Sequence, residues 1–248
     1  QSRGYWVNYL MSDPYQDIST GRQGGLGLPL DISFGFHSDA GITPDDSIIG
    51  TLAIYSTGLN NGYFNDSTSR LASRDLADIV QTTVVEDIRK QFNPDWTRRG
   101  LWDKPYAEAR RPDAPAMLFE LYSHQNISDL VYGLDPRFRF AVSRAVYKGI
   151  LKYISYANRK DYQVQPLPVD HFGIEYIGAK KIRLSWQPVY DTLEASATPT
   201  GYIVYKSIDA NGFDTGIIVN DTTFTLEIES YDIIYNFKVK AFNGGGES

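Results

Sequence analysis

The sequence predicts an α/β domain, a mostly parallel sheet flanked by helices, followed by a smaller all-β sandwich. Three observations carry that expectation. Up to about residue 157, short apolar runs alternate with long stripes of helical period, as strands and helices do when they take turns along a chain. From Asn158 to Pro168 the pattern lapses into a polar, proline-containing linker. Beyond it the apolar period falls to two and helical stripes vanish.

Taken in order, the run Arg3–Leu10 is aromatic and apolar enough to read as the interior of a folded domain. Gly21–Gly27 is rich in glycine but has no Lys-Ser/Thr and no following helix, so it is a loop and not a phosphate cradle. Leu30, Ile32, Phe34 and Phe36 alternate as a strand, and Thr51–Ser56 is a second strand after Gly50. Asp66 and Ser67 are N-cap candidates for a long helix with the stripe Leu71, Leu76, Ile79, Val80, Val84, Ile88. Ala116–Leu121 is continuously apolar, as a buried parallel strand is. Asp135-Pro136 opens a second helix, with cap and proline where a helix start wants them. Its stripe runs Phe138, Ala141, Val142, Ala145, Val146, Ile150, Tyr153, Ile154, and both stripes are core.

In the later region Ile182–Trp186, Tyr202–Tyr205 and Tyr235–Ala241 alternate, with turns at Asp209–Gly212 and Asn220-Asp221. That is a sandwich pattern with a Trp on an early strand, and Trp186, Val204, Phe237 and Val239 are expected to be largely buried. The run Leu184–Val189, the position of Tyr235, and Ala241–Ser248 together resemble a fibronectin type III module over residues 166–248. The resemblance implies a last strand that these residues do not supply.

Composition bounds the function. The chain has 248 residues, 42% hydrophobic and 22% charged, which is globular and long enough for two cores. A net charge of −6 argues against a nucleic-acid partner, which needs clustered Lys and Arg. No apolar run approaches the ~20 residues of a membrane span. Without cysteine there are no disulfides and no thiolate metal ligands. Gln1-Ser2-Arg3-Gly4 carries no Met and no apolar leader, so the chain reads as cut from a longer one. The 18 tyrosines suit sugar stacking, or simply a β-rich domain.

Two residues stand out chemically. His37 ends the run Ser33–Ala40 and Glu120 lies inside Met117–Leu121, each a polar group on an apolar strand. Such groups are costly unless they bind something or are hydrogen-bonded. Ligand sites of open α/β sheets gather at strand ends, and imidazole is a common zinc ligand. A carboxyl among Met117, Leu118, Phe119 and Leu121 should have a raised pKa, suiting a proton carrier near neutral pH. The plainer alternatives are a hydrogen-bonded loop histidine and a carboxylate paired with one of Arg98, Arg99, Arg110 or Arg111. His124 and Asp39 are possible site-lining residues, Asp129 is a weaker candidate, and His171 reads as surface.

Ser33–Ala40, Arg99-Gly100-Leu101 and Leu118–Asn126, in that order, resemble the later half of the zinc-dependent N-acetylmuramoyl-L-alanine amidases. The resemblance covers residues 1–160 as an amidase-like α/β domain lacking its N-terminal part. It implies a bacterial, extracytoplasmic hydrolase (periplasmic, cell-surface or secreted) that acts on cell-wall peptidoglycan. It makes His37 the third zinc ligand and Glu120 the catalytic carboxylate, with the remaining ligands, a His and a Glu, expected upstream. The 36 residues before His37 contain neither His nor Glu. This chain alone is therefore expected to hold zinc weakly and to be inactive. Two rival readings are a non-catalytic glycan-binding or scaffold protein on a degenerate amidase fold, and a polysaccharide-active enzyme such as a lyase.

Overall fold

The computed structural model describes residues 2–12, 24–209 and 211–248. Gly21-Arg22-Gln23 of the glycine-rich stretch and Ala210 of the Asp209–Gly212 turn lie outside these. The chain divides into two compact units, residues 1–160 and 161–248.

The first unit runs α1 (Ser2–Met11), β1 (Ser33–Asp39), β2 (Leu52–Tyr55), α2 (Leu71–Gln91), β3 (Trp102–Asp103), α3 (Ala107–Arg110), β4 (Ala116–Ser123), α4 (Ile127–Leu134) and α5 (Pro136–Ala157). Its sheet has the order β1-β4-β2-β3. β1 pairs with β4 and β2 with β3 in parallel, while β2 runs antiparallel to β4. The sheet is thus mostly parallel, with one reversed neighbour.

Alternation along the strands separates two faces. Ala53, Met117, Phe119 and Leu121 join Leu76, Val80, Val84, Ile88, Phe138 and Val142 of α2 and α5 in one core. Phe34 and Phe36 stack toward Phe119 at 5.8 and 6.1 Å. Leu52, Ile54 and Leu118 form a separate cluster on the other face. The helix pair is also joined by charge: Lys148 Nζ lies 2.5 Å from Asp87 Oδ2, with the Lys148 side chain only 2% exposed.

The second helix opens as expected, Asp135 Oδ1 accepting from the Arg137 N–H ahead of Pro136 at the first turn. The first does not. α2 begins at Leu71, behind Arg70, without a side-chain cap. Asp66 instead accepts from Thr68 N–H in a local turn, the competing use of such side chains. Arg70 is buried and donates to the carbonyls of Tyr63, Arg110 and Pro112, which holds the chain out of the helix until that point. A second correction concerns Arg3–Leu10. This run is the surface helix α1, with Tyr5 54% and Trp6 58% exposed. Its apolar side chains are spread round the helix and form no single stripe, so its composition misled. Asn8 ties it down, donating to Arg111 O and accepting from Asp113 N–H.

The second unit consists of β5 (Asp170–Gly178), β6 (Lys181–Gln187), β7 (Gly201–Ile208), β8 (Ile217–Val219), β9 (Thr223–Glu227), β10 (Tyr235–Asn243) and β11 (Gly246–Glu247). Two antiparallel sheets, β5-β6-β9 and β11-β10-β7-β8, enclose a core of Ile182, Leu184, Trp186, Tyr202 and Val204. Phe237 and Val239, expected inside, are only partly buried and pack at the margin of this cluster. The Tyr235 hydroxyl accepts from the backbone N–H groups of Glu229 and Ser230, closing the turn before β10. His171 is exposed on β5.

Trp186 is 3% exposed, at the centre of this core. Trp186→Ala should therefore lower the unfolding free energy by about 3–5 kcal/mol, read from urea denaturation of the second unit's signals. An unchanged midpoint would remove Trp186 from the core.

Candidate functional site

β1 and β4 pair in register, Gly35 with Leu118 and His37 with Glu120, and Leu52 of β2 pairs with Glu120 from the other side. Paired residues of a parallel ladder share a face, so His37 and Glu120 project side by side from the face opposite α2 and α5. They stand next to Leu118 and Leu52, both buried. α3 lies against this face, in contact with β1, β2 and β4.

One oxygen of Glu120 is held without a partner. The residue's Oε2 is buried and makes no hydrogen bond within the protein. Burial first, then the charge of Asp39, push its carboxyl above the usual carboxylate range, against the opposing pull of His37, Arg99 and His124. The arginine pairing that would have made it a plain structural carboxylate goes elsewhere. Arg99 Nη1 donates to Asp39 Oδ2 at 2.5 Å, and its guanidinium lies 5.3 Å from the Trp102 ring centre. Burial acts to raise Asp39, but the Arg99 hydrogen bond and charge and the Ala40 and Gly41 N–H groups outweigh it and hold Asp39 below the ordinary value.

His37 is paired through a residue that sequence reasoning missed. Its Nε2 lies 2.7 Å from Oε2 of Glu108, on α3, and Arg3 Nη1 donates to the other oxygen of that carboxylate at 2.9 Å. Burial opposes charge on Glu108, yet the bonds and charges of His37 and then Arg3 hold its carboxyl below the ordinary range. No sequence signal joins residues 71 positions apart. Glu108 is the sole glutamate between Glu86 and Glu120, which marks it only in hindsight.

His124 is exposed beyond the end of β4. Its N–H donates to Asp39 O and its Nδ1 is 3.1 Å from Ser38 Oγ, so it lines the rim next to Asp39. Asp129 is structural. Its carboxylate accepts from the N–H groups of Ile49, Gly50 and Ser123 and is fully buried. Gly50 there has φ +74°, and a Cβ would stand 2.2 Å from Thr97 O, so only glycine fits. Along the β1 edge a groove of about 580 Å³ is lined by Trp6, Val7, Phe34 and Phe36 and reaches Arg3 and Glu108.

The donor set does not fit zinc on its own. Among the described residues no group of three or more His, Cys, Asp or Glu side chains is placed to hold a metal ion. At this site His37 and its neighbour Glu108 are in direct contact, two donors short of a closed tetrahedral site.

No protein-family model and no curated protein matches this chain. Solved structures similar to its first unit include an N-acetylmuramoyl-L-alanine amidase of Clostridium difficile 630, at 20% identity and TM-score 0.40 over 50% of this chain and 58% of that one. Another is an N-acetylmuramoyl-L-alanine amidase of Nostoc punctiforme, at 16% identity and TM-score 0.40 over 61% and 79%. A fibronectin type III domain of human collagen XX is similar over 35% of this chain and 88% of its own, at 19% identity and TM-score 0.28. The chain spans 58% of the length of the Clostridium amidase.

Two outcomes test this site. A carboxyl raised by folding stabilises the protein while protonated and ceases to do so as pH rises through its folded value. Glu120→Gln, which stays neutral, should therefore raise the urea midpoint at pH 7 and leave it unchanged at pH 4, below the ordinary value of 4.5. A midpoint that falls at pH 7 would show that the ionised carboxylate is favoured. Asp129→Ala strands three N–H groups, two of them buried, and should cost about 3–5 kcal/mol by the same measurement. A loss below about 1 kcal/mol would deny Asp129 its anchoring role.

Proposed function

We propose that the first unit is part of a peptidoglycan hydrolase that breaks the amide between the lactyl group of N-acetylmuramic acid and L-alanine. The substrate places its action outside the cytoplasm. No helix among the described residues is long and apolar enough to cross a membrane. The observation that carries the reading is Glu120, a carboxyl with one unpartnered oxygen and a raised pKa, in register with His37 on a sheet face lined by Leu118 and Leu52. The resemblance of the two strand runs supports the same assignment.

Amide hydrolysis needs a proton taken from water and delivered to the departing nitrogen. Glu120 is suited to both, because burial raises its carboxyl above the usual carboxylate range and no neighbouring donor occupies Oε2. Arg99 anchors Asp39, and through its charge limits how far Glu120 rises. The exposed rings of Trp6 and Phe36 beside the β1 groove offer faces on which sugar rings stack. Zinc enters this proposal only through His37, the one ligand the resemblance assigns to this chain.

The second reading, a glycan-binding protein without turnover, is favoured by the incomplete donor set. Peptidoglycan sacculi separate the two. A longer form of the chain that carries an upstream His and Glu should release L-alanine amino groups from them and lose that activity with a chelator. These 248 residues alone should bind sacculi and release none. Glu120→Gln in that longer form should lower turnover by about 10²–10⁴-fold with zinc content unchanged, as loss of a proton carrier does. His37→Ala should lose both. Binding without release by that longer form would establish the second reading. Unsaturated sugars absorbing in the ultraviolet would establish a lyase. Full activity of Glu120→Gln would overturn the mechanism.

A further inference from the structure

We infer that Glu108 is the positioning residue of His37: it fixes the neutral imidazole with its proton on Nε2 and leaves Nδ1 as the nitrogen with a free lone pair. The inference rests on the reading that His37 acts at this site. It adds which atom of the ring is available to accept a proton or bind a ligand.

Arg3 Nη1 stands 2.9 Å from Oε1 of Glu108 as an ion pair, and an ionised carboxylate has no proton to donate. At 2.7 Å from its Oε2, Nε2 of His37 must therefore be the donor. A neutral imidazole carries one ring proton, so Nδ1 is left bare. Arg3 donates to Oε1 of the same carboxylate and secures it from the other side.

A second observation is independent of the hydrogen bond. Gly35 lies two residues before His37 on the same strand face, and a Cβ built there would stand 2.6 Å from Glu108 Oε2. A side chain at 35 would force the carboxylate to shift from its place against the ring. The backbone thus leaves a slot of one missing methyl, and Glu108 fills it from α3, across a loop that the strand pattern does not control. Carboxylates that orient imidazoles commonly act in this way, fixing tautomer and ring angle together.

The test is nitrogen NMR on the ¹⁵N-histidine-labelled 248-residue protein, at a pH above imidazole titration and without added metal. His37 should show its proton on Nε2 in at least tenfold excess, with an Nε2–H signal protected from solvent exchange. Glu108→Leu should lose the protected signal and bring the tautomer ratio to that of an unstructured histidine peptide. Gly35→Ala should do the same while leaving the carboxylate in the sequence. Glu108→Gln should retain the signal, because an amide oxygen also accepts. Unchanged His124 and His171 resonances in the three variants report that the fold is intact. A proton on Nδ1 in the unsubstituted protein, or an Nε2–H signal indifferent to both Glu108→Leu and Gly35→Ala, overturns the inference. The readout needs no turnover, so its failure and the failure of the amidase reading are separate results.

Discussion

The parallel register of β1 on β4 is the constraint on which the rest of the first unit depends. It sets Gly35 beside Leu118 and His37 beside Glu120. A slip of one residue would exchange every side chain between faces. Phe34 and Phe36 would leave Phe119, and the imidazole would be driven into the packing of α2 and α5. The aromatic side of β1 therefore fixes the chemical side. The pairing is strong because one face is committed to an apolar core of helices, and the other face inherits its alignment.

The surroundings then decide what each polar group on that face becomes. Asp129 gathers the N–H groups of Ile49, Gly50 and Ser123, tying the approach to β2 to the end of β4. Asp39 takes the Arg99 guanidinium and becomes a firm anion. Glu108 takes both Arg3 and His37. With those donors committed, Glu120 is the carboxyl left against Leu118 and Leu52, and it responds by holding its proton more tightly. One acid is raised because its neighbours are satisfied first.

A metal and a proton carrier ask different things of the same strands. A carboxyl can be tuned by burial and by charges several ångströms away, so one strand position suffices for it. Zinc demands three or four donors converging at about 2 Å, and the described residues bring no such group together. His37 is instead met by a single carboxylate, which orients the ring and does not complete a shell.

The sequence by itself determined the elements whose residues carry their own instruction. The stripe of α2 from Leu76 to Ile88 (though not Leu71, which is exposed), the stripe of α5, the Asp135-Pro136 helix start, the buried run of β4, the alternation of β6 and β7 and the corner position of Tyr235 are all local patterns of period, cap or turn. It also singled out His37 and Glu120, because a polar group in an apolar strand is conspicuous without any coordinates. Where local signals compete, the three-dimensional fold decided. Asp66 was drawn into a turn and Arg70 into a buried network, so α2 starts later than its cap residues suggested. The aromatic run Arg3–Leu10 became a surface helix because its apolar residues share no face. Only the tertiary structure could bring Glu108 to His37, join Asp39 to Arg99 and turn Asp129 into a backbone clamp. Each of those contacts spans loops whose path is set by packing, and an ionic or hydrogen-bonded pair leaves no periodic trace in the chain that makes it.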